Sequence, residues 1–178
     1  NYNPVLKSIH FITSDEGLSI SPKRITVSTA GIAKMIKKLA DDQVKFNLAI
    51  SLHSASDNKR NSLMPLNEKI NLTKLQEAIK YFYTKTGTRV TYEYILFEDL
   101  NDKIEDAQNL IKFVKKIPCK INLIEYNSVD NLSYQKSSNK VTENFMQLLE
   151  KHKIIVNLRK SKGKDIAAAC GQLANKLQ

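Results

Sequence analysis

The sequence predicts an α/β protein built around a parallel β-sheet of successive βα units, and three observations support this fold class. Short segments rich in β-branched residues alternate with segments whose apolar residues recur at the helical spacing i, i+3, i+4 and i+7. The links between the strand segments are long enough for the helix that a parallel crossover requires. Composition does not shift along the 178 residues, so we expect a single domain spanning residues 1–178.

The predicted strands are short, and the first and fourth are introduced by proline (Ser21-Pro22 and Pro118). They are Arg24–Thr29, Phe46–Leu52, Arg89–Leu96, Lys120–Tyr126 and Ile154–Arg159. The predicted helical segments carry an apolar stripe or, in the last case, an alanine-rich stretch. They are a first segment containing His10, then Ile32–Leu39, Leu72–Tyr83 with Gly87 as a stop signal, Ile104–Val114, Val141–Leu149 and Asp165–Leu177.

Polar side chains follow four successive predicted strands. They are Ser28 and Thr29, Ser51 and His53, Glu98 and Asp99, and Asn127. Helix capping alone explains any one of them, and a single histidine such as His53 is commonly structural. Ligands of parallel α/β proteins gather at the carboxyl ends of strands, so the recurrence favours a ligand site.

Charge and cysteine content narrow the class of protein. Lys and Arg exceed Asp and Glu by 28 to 18, and residues 151–178 hold seven basic residues against one acidic residue. Such a field favours a nucleic-acid partner, although a lysine-rich surface explains the charge equally well. Two cysteines are too few for a disulfide framework or a cysteine-rich metal site, which predicts a reducing, cytoplasmic setting. No apolar stretch is long enough to span a membrane, so we predict no membrane partner.

Several common nucleotide-binding and catalytic motifs are absent from the sequence. The sequence contains no G-x-G-x-x-G, Walker A, H-E-x-x-H or G-x-S-x-G motif. It therefore lacks the usual sequence evidence for a dinucleotide-binding protein, a P-loop nucleotide-binding protein, a zinc metalloprotease or an α/β-hydrolase. His10 and His152 are predicted to be surface residues. Cys119 opens an apolar strand after Pro118 and is predicted to be structural.

Several segments together resemble one family, the radical S-adenosylmethionine RNA methyltransferases of the RlmN/Cfr type, which methylate adenine in 23S rRNA. The resemblance runs from end to end of the chain. The segments that carry it are residues 24–31 (RITVSTAG), 48–54 (LAISLHS), 64–67 (MPLN), 119–127 (CKINLIEYN) and 159–173 (RKSKGKDIAAACGQL). The most specific is AAACGQL at 167–173, because it combines an unusual tail motif with a defined chemical role.

The resemblance implies the C-terminal portion of a partial (β/α)6 radical SAM barrel, with barrel strands three to six and a C-terminal tail. The family's N-terminal accessory domain, its C-x-x-x-C loop with a third cysteine for a [4Fe–4S] cluster, and its Gly-Glu motif are not among these residues. The resemblance therefore implies cluster ligands outside this chain and an inactive fragment when the chain is alone. The parent protein would use S-adenosylmethionine, the cluster and a flavodoxin-like reducing partner.

The resemblance also implies roles for individual residues. Cys170 matches the methyl-carrying cysteine, and Lys160, Lys162 and Lys164 are placed to favour its thiolate. The residues that would line the S-adenosylmethionine site are Ser28, Ser51, Leu52, His53 and Asn127. The residues predicted to bind RNA are Arg159, Lys160, Lys162 and Lys164.

The sequence leaves several alternatives open. One is a non-catalytic basic α/β domain that binds RNA by charge alone. Another is a Cfr-type relative that methylates carbon 8 of adenine rather than carbon 2, and a tRNA adenine is an open second substrate. Loss of two barrel strands would also expose a sheet edge at Arg24–Thr29, which predicts dimerisation or a covering role for the first helix.

Overall fold

The computed structural model describes residues 1–128 and 132–160, and within them five parallel strands form one sheet. The strands are β1 (Thr26–Thr29), β2 (Asn47–Ser51), β3 (Val90–Leu96), β4 (Cys119–Glu125) and β5 (Ile155–Arg159). Their order is β1-β2-β3-β4-β5, so each strand pairs with the next strand along the chain. The predicted fold class is confirmed, and every predicted strand is found within two residues of its expected bounds.

Seven helices accompany the strands in the described residues. They are α1 (Tyr2–Thr13), α2 (Ala33–Asp41), α3 (Asp57–Leu63), α4 (Leu66–Lys69), α5 (Leu72–Thr86), α6 (Ile104–Val114) and α7 (Asn139–Lys151). A 3₁₀ turn, Pro22–Arg24, precedes β1, which is why that strand starts at Thr26 rather than at Arg24. No helix in the described part of the chain is long and apolar enough to cross a membrane.

The two faces of the sheet differ in character. One face is apolar and is packed under the helices, where Tyr92 of β3 makes an edge-on ring contact with Phe113 of α6 and Tyr94 contacts Phe145 of α7. Because side chains alternate along a strand, the opposite face carries the intervening residues. These are mostly polar and include Ser28, Ser51, Glu93, Asn122 and Asn157.

The core under the helices is continuous across the described units. Ile36 of α2, Leu75 and Phe82 of α5, and Leu110 of α6 are at most 1% exposed and belong to one cluster with the inward residues of β2, β3 and β4. The helices thus fix the strands from one side. This packing fixes the positions of the strands, and so it also fixes the side chains on the polar face, which lie outside the core.

Five described strands are one more than barrel strands three to six would supply, so the numbering of these strands within a barrel stays a prediction. The predicted helix Asp165–Leu177 lies outside the described residues. So do Cys170, Lys162 and Lys164.

Candidate functional site

The carboxyl end of β2 forms a sharp, well-anchored turn at Ser51–His53. The amides of Leu52 and His53 both donate to the Glu93 carbonyl, at 3.0 and 3.3 Å. His53 then adopts a left-handed backbone, with φ of 56°, which is uncommon for a residue other than glycine. Leu52 is fully buried, and its backbone carbonyl accepts hydrogen bonds from the Ser54 amide and from Arg60 Nε.

His53 is held as a neutral ring. Its Nδ1 accepts a hydrogen bond from the Ile95 amide at 3.2 Å, which assigns the ring proton to Nε2. Burial, and to a lesser extent the charge of Arg60, lowers the pKa of His53 to about 4. Its carbonyl accepts from Asn101 Nδ2 at 2.6 Å. The structural role considered for His53 is therefore present, and Nε2 is the atom left for a ligand.

The buried guanidinium of Arg60 hydrogen-bonds the backbone of the Ser51–His53 turn. Arg60 of α3 has no exposed surface, and its Nε donates to the Leu52 carbonyl at 3.1 Å. Its Nη2 donates to the carbonyls of Ala30 at 2.9 Å and Ser51 at 3.2 Å, while Nη1 donates to Asn67 Oδ1 at 2.6 Å. Arg60 thereby joins the segments that follow β1 and β2.

Asn67 completes this support. Its Nδ2 donates to Asp57 Oδ1 at 2.8 Å and to Asn61 Oδ1 at 2.6 Å. Asp57 Oδ1 also accepts from the Leu72 amide at the start of α5. Sequence reasoning singled out Asn67 only within the segment MPLN and missed Arg60, because a single arginine in the polar stretch of α3 produces no apolar periodicity.

A row of polar residues crosses the helix-free face at the level of Ser51. Ser51 pairs with Glu93, Glu93 with Asn122, and Asn122 with Asn157. Asn122 Nδ2 donates to Glu93 Oε1 at 2.8 Å, and Asn157 Nδ2 donates to Asn122 Oδ1 at 3.2 Å. Glu93 Oε2 is shielded from water and has no hydrogen-bond donor among the described residues, although Arg159 Nη1 lies 3.6 Å away.

The structure brings Ser28, Ser51, His53 and Asn127 to the same edge of the sheet, because each lies at or just beyond the carboxyl end of a parallel strand. Neither serine hydroxyl makes a hydrogen bond within the described residues, whereas Asn127 Nδ2 makes a long contact of 3.4 Å to the Glu125 carbonyl. These groups are available to hydrogen-bond a small polar molecule.

The described basic residues of the predicted RNA site are exposed. Arg159 ends β5, and its guanidinium pairs with Glu93 on the polar face. Lys160 follows it and is exposed to solvent. Cys119 is half-buried, and burial raises the pKa of its thiol to about 11, so the thiol stays protonated at neutral pH.

No protein-family model matches the chain. Curated relatives match it over nearly its whole length. It is 55% identical over 176 residues to a protein of Christiangramia forsetii and 46% identical over 177 residues to one of Salinibacter ruber, both described as probable dual-specificity RNA methyltransferase RlmN. The match covers 99% and 98% of this chain and 50% and 48% of those proteins. This chain is homologous to one half of an RlmN-type protein.

Solved structures agree with the RlmN-type assignment. A radical SAM methyltransferase from Sphaerobacter thermophilus superimposes with a TM-score of 0.93 at 35% identity, covering 97% of this chain and 50% of that one. A domain of a pyruvate-formate lyase-activating enzyme from Bacteroides vulgatus superimposes with a TM-score of 0.60 at 16% identity, which shows a shared fold alone. The chain thus spans about half the length of the RlmN-type relatives it matches.

The resemblance stated above predicts iron–sulfur cluster ligands outside this chain. Within residues 1–128 and 132–160, no three His, Cys, Asp or Glu side chains come together in a way that could hold a metal ion. The polar groups of the strand ends are hydrogen-bond donors and acceptors of the kind that bind an organic ligand.

Proposed function

We propose that this chain is the part of an RlmN-type radical SAM enzyme that binds S-adenosylmethionine and carries the methyl group to carbon 2 of an adenine in 23S rRNA. The similarity to RlmN-type proteins along 99% of the chain is the observation that carries the proposal. The relatives' description as dual-specificity enzymes supports a second RNA substrate, for which we propose a tRNA. A single domain and residence in the cytoplasm are part of the same proposal.

The strand ends fit the cosubstrate chemically. S-adenosylmethionine offers ribose hydroxyls, an adenine edge and a zwitterionic amino-acid end, all of which need hydrogen-bond partners. The free hydroxyls of Ser28 and Ser51, the Asn127 amide and the His53 ring would supply such partners at one edge of the sheet. We propose that Leu52, between Ser51 and His53, lines the same site. Neutral His53 adds no positive charge beside a cationic sulfonium.

We assign the methyl-carrying step to Cys170. Its thiolate would attack the methyl carbon of the sulfonium, so that a sulfur–carbon bond forms on Cys170 and the sulfonium–methyl bond breaks to release S-adenosylhomocysteine. The nearby Lys160, Lys162 and Lys164 in the sequence would favour the thiolate by their charge and, with Arg159, would contact RNA phosphates.

In the parent protein, a cluster whose ligands lie outside this chain would supply the electron for the reductive cleavage of a second molecule of S-adenosylmethionine. A flavodoxin-like protein is the proposed source of that electron. This chain's own contribution is to bind the cosubstrate and to present the methylated cysteine to the base.

The parent protein carrying Cys170→Ala tests the proposal. RNA methylation should be lost altogether, because no other group can accept the methyl at that position, while reductive cleavage of S-adenosylmethionine should continue. Cys119→Ala is the matched control and should keep activity, since that thiol is half-buried and protonated. Mass spectrometry should find a methyl group on the wild-type peptide that contains Cys170. A Cys170→Ala enzyme that still methylates RNA would contradict the assignment.

A further inference from the structure

The amino-terminal edge of the sheet, opposite the strand ends described above, is basic along its whole length. Each of the five described strands is preceded within three residues by an exposed basic side chain. These residues, here called the basic rim, are Arg24, Lys45, Arg89, Lys116 and Lys153. By contrast, the opposite edge carries acidic residues such as Glu98 and Asp99 directly after β3.

The rim charges are not neutralised by neighbouring carboxylates in the described residues. The ion pairs found there join Lys59 to Asp106, Lys103 to Asp99, Lys136 to Glu125 and Arg159 to Glu93, and none of them includes a rim residue. Asp41 and Asp42, at the end of α2, accept hydrogen bonds from the hydroxyls of Tyr81 and Tyr2 and form no ion pair with a rim residue among the described residues. Much of the rim's positive charge therefore faces solvent.

A cleft of about 570 Å³ opens at the centre of the rim. Arg89 and Lys120 line it together with Asn47 and Thr91, and none of the described residues that line it is acidic. The Asn47 side-chain amide already donates to the carbonyls of Lys23 and Ile25, so the two cations are the groups that the cleft offers to an anion. By strand alternation these four side chains belong to the polar face. Thr91 and Lys120 lie two residues before the row that contains Ser51, Glu93 and Asn122, and Asn47 and Arg89 lie four residues before it. Two cations with no acidic residue among the described lining make a good site for phosphate oxygens.

We propose that the basic rim and its central cleft bind the phosphate backbone of RNA, as a contact surface separate from the cosubstrate site at the opposite edge. Neighbouring strands lie about 4.8 Å apart, so the rim extends roughly 19 Å across five strands. A row of that length suits a chain of phosphates rather than one phosphate group. The charge distribution indicates that the rim binds a polyanion. The choice of RNA as that polyanion rests on the proposed function.

The test compares two double variants of the 178-residue chain that lose the same charge. Arg89→Gln with Lys120→Gln removes the cleft cations, and Lys69→Gln with Lys74→Gln is the matched control on exposed lysines near the carboxyl edge. Binding of a fluorescently labelled single-stranded RNA is measured by anisotropy over a series of salt concentrations. The cleft variant should bind about tenfold more weakly at low salt, and its log–log salt slope should fall by about 1.4, because each phosphate contact contributes about 0.7.

The control variant should keep the wild-type slope. A cleft variant with the same salt slope as the control would overturn the proposal that the basic rim binds RNA. The proposal that RNA is the substrate would stand in that case, because the wild-type chain would bind RNA through other residues. A wild-type chain that binds no RNA would overturn the rim proposal, and the Cys170→Ala test in the parent protein decides the proposed function separately. Binding to phosphatidylglycerol vesicles in preference to RNA, lost in the cleft variant, would assign the rim to a membrane surface instead. Lys45→Gln with Lys116→Gln provides a second rim pair if the first variant does not fold.

Discussion

At the scale of single residues, the geometry of the candidate site depends on Arg60, a buried side chain that hydrogen-bonds the backbone beneath the site. Ser51 and His53 could be predicted from the sequence, because polar residues at a strand end are a readable signal. Arg60 could not, because its importance comes from the carbonyls of Ala30, Ser51 and Leu52, which meet only in the folded chain. A sequence pattern reports where side chains lie, but it does not report which backbone carbonyls need a donor.

Replacing Arg60 tests that dependence. Arg60→Met should lower the free energy of unfolding by about 3 kcal/mol, because several buried carbonyl oxygens lose their donor at once. Arg60→Lys should be intermediate, since it keeps the charge but cannot reach all four acceptors. Urea unfolding monitored by circular dichroism measures both. Lys74→Met, at an exposed position, is the control, and an Arg60→Met chain as stable as that control would refute the supporting role.

His53 predicts a specific pH dependence of stability. Its pKa is lowered to about 4 in the folded chain, from 6.5, so between these values the unfolded chain binds more protons and stability falls as the pH falls. The loss attributable to His53 should approach about 3 kcal/mol when the pH has dropped from 6.5 to 4. His53→Gln cannot titrate and should lack this component. Equal pH profiles for the two proteins in urea unfolding would contradict the buried neutral ring.

At the scale of elements, periodicity predicted the strands and the long helices well. Ile104–Val114 was found with its predicted bounds, and Gly87 was found to end α5 as expected. The short helices α3 and α4 were not predicted, because their residues are mostly polar and neither helix has an apolar stripe. They are held by tertiary contacts through Arg60 and Asn67, which no local pattern encodes.

Gly87 provides a test at this scale. It ends α5 in a left-handed conformation with φ of 63°, and a Cβ added there would meet nothing within 4 Å. Gly87→Ala should therefore cost about 1 kcal/mol through backbone conformation alone. Gly87→Asn should cost less, because asparagine tolerates the left-handed region better. Thermal unfolding compares the variants, and an alanine variant no less stable than the asparagine variant would be inconsistent with this geometry.

At the scale of the whole molecule, the sheet has an open edge at β1. β1 is only four residues long and pairs with β2, while Tyr2 and Lys38 hold the start of α1 against α2. Asn47 donates its amide to the Ile25 carbonyl, so in a parallel ladder the amides of Thr26 and Ser28 point away from β2. The whole-molecule prediction of an exposed edge thus followed from the resemblance, since strand periodicity does not reveal which strand is outermost.

Dimerisation through this edge remains our prediction for the isolated chain. Thr26→Pro should abolish it, because proline removes an outward amide, and Ile25 already has the extended backbone that a following proline requires. Light scattering over a range of concentrations should show a dimer for the wild type and a monomer for the variant. A wild-type chain that stays monomeric throughout would disprove edge-to-edge pairing.

The strand order has a consequence for how the molecule is made. Because every strand lies beside the one synthesised just before it, each new βα unit finds its docking surface already formed when it leaves the ribosome. Among the five described strands, none has to wait for a distant partner or be inserted between two others, which keeps loop-closure entropy low as each is added. This part of the nascent sheet therefore grows from β1 towards β5 in one direction. A chain of this kind is suited to vectorial folding, with the most recently added strand as the surface that needs protection until its successor arrives.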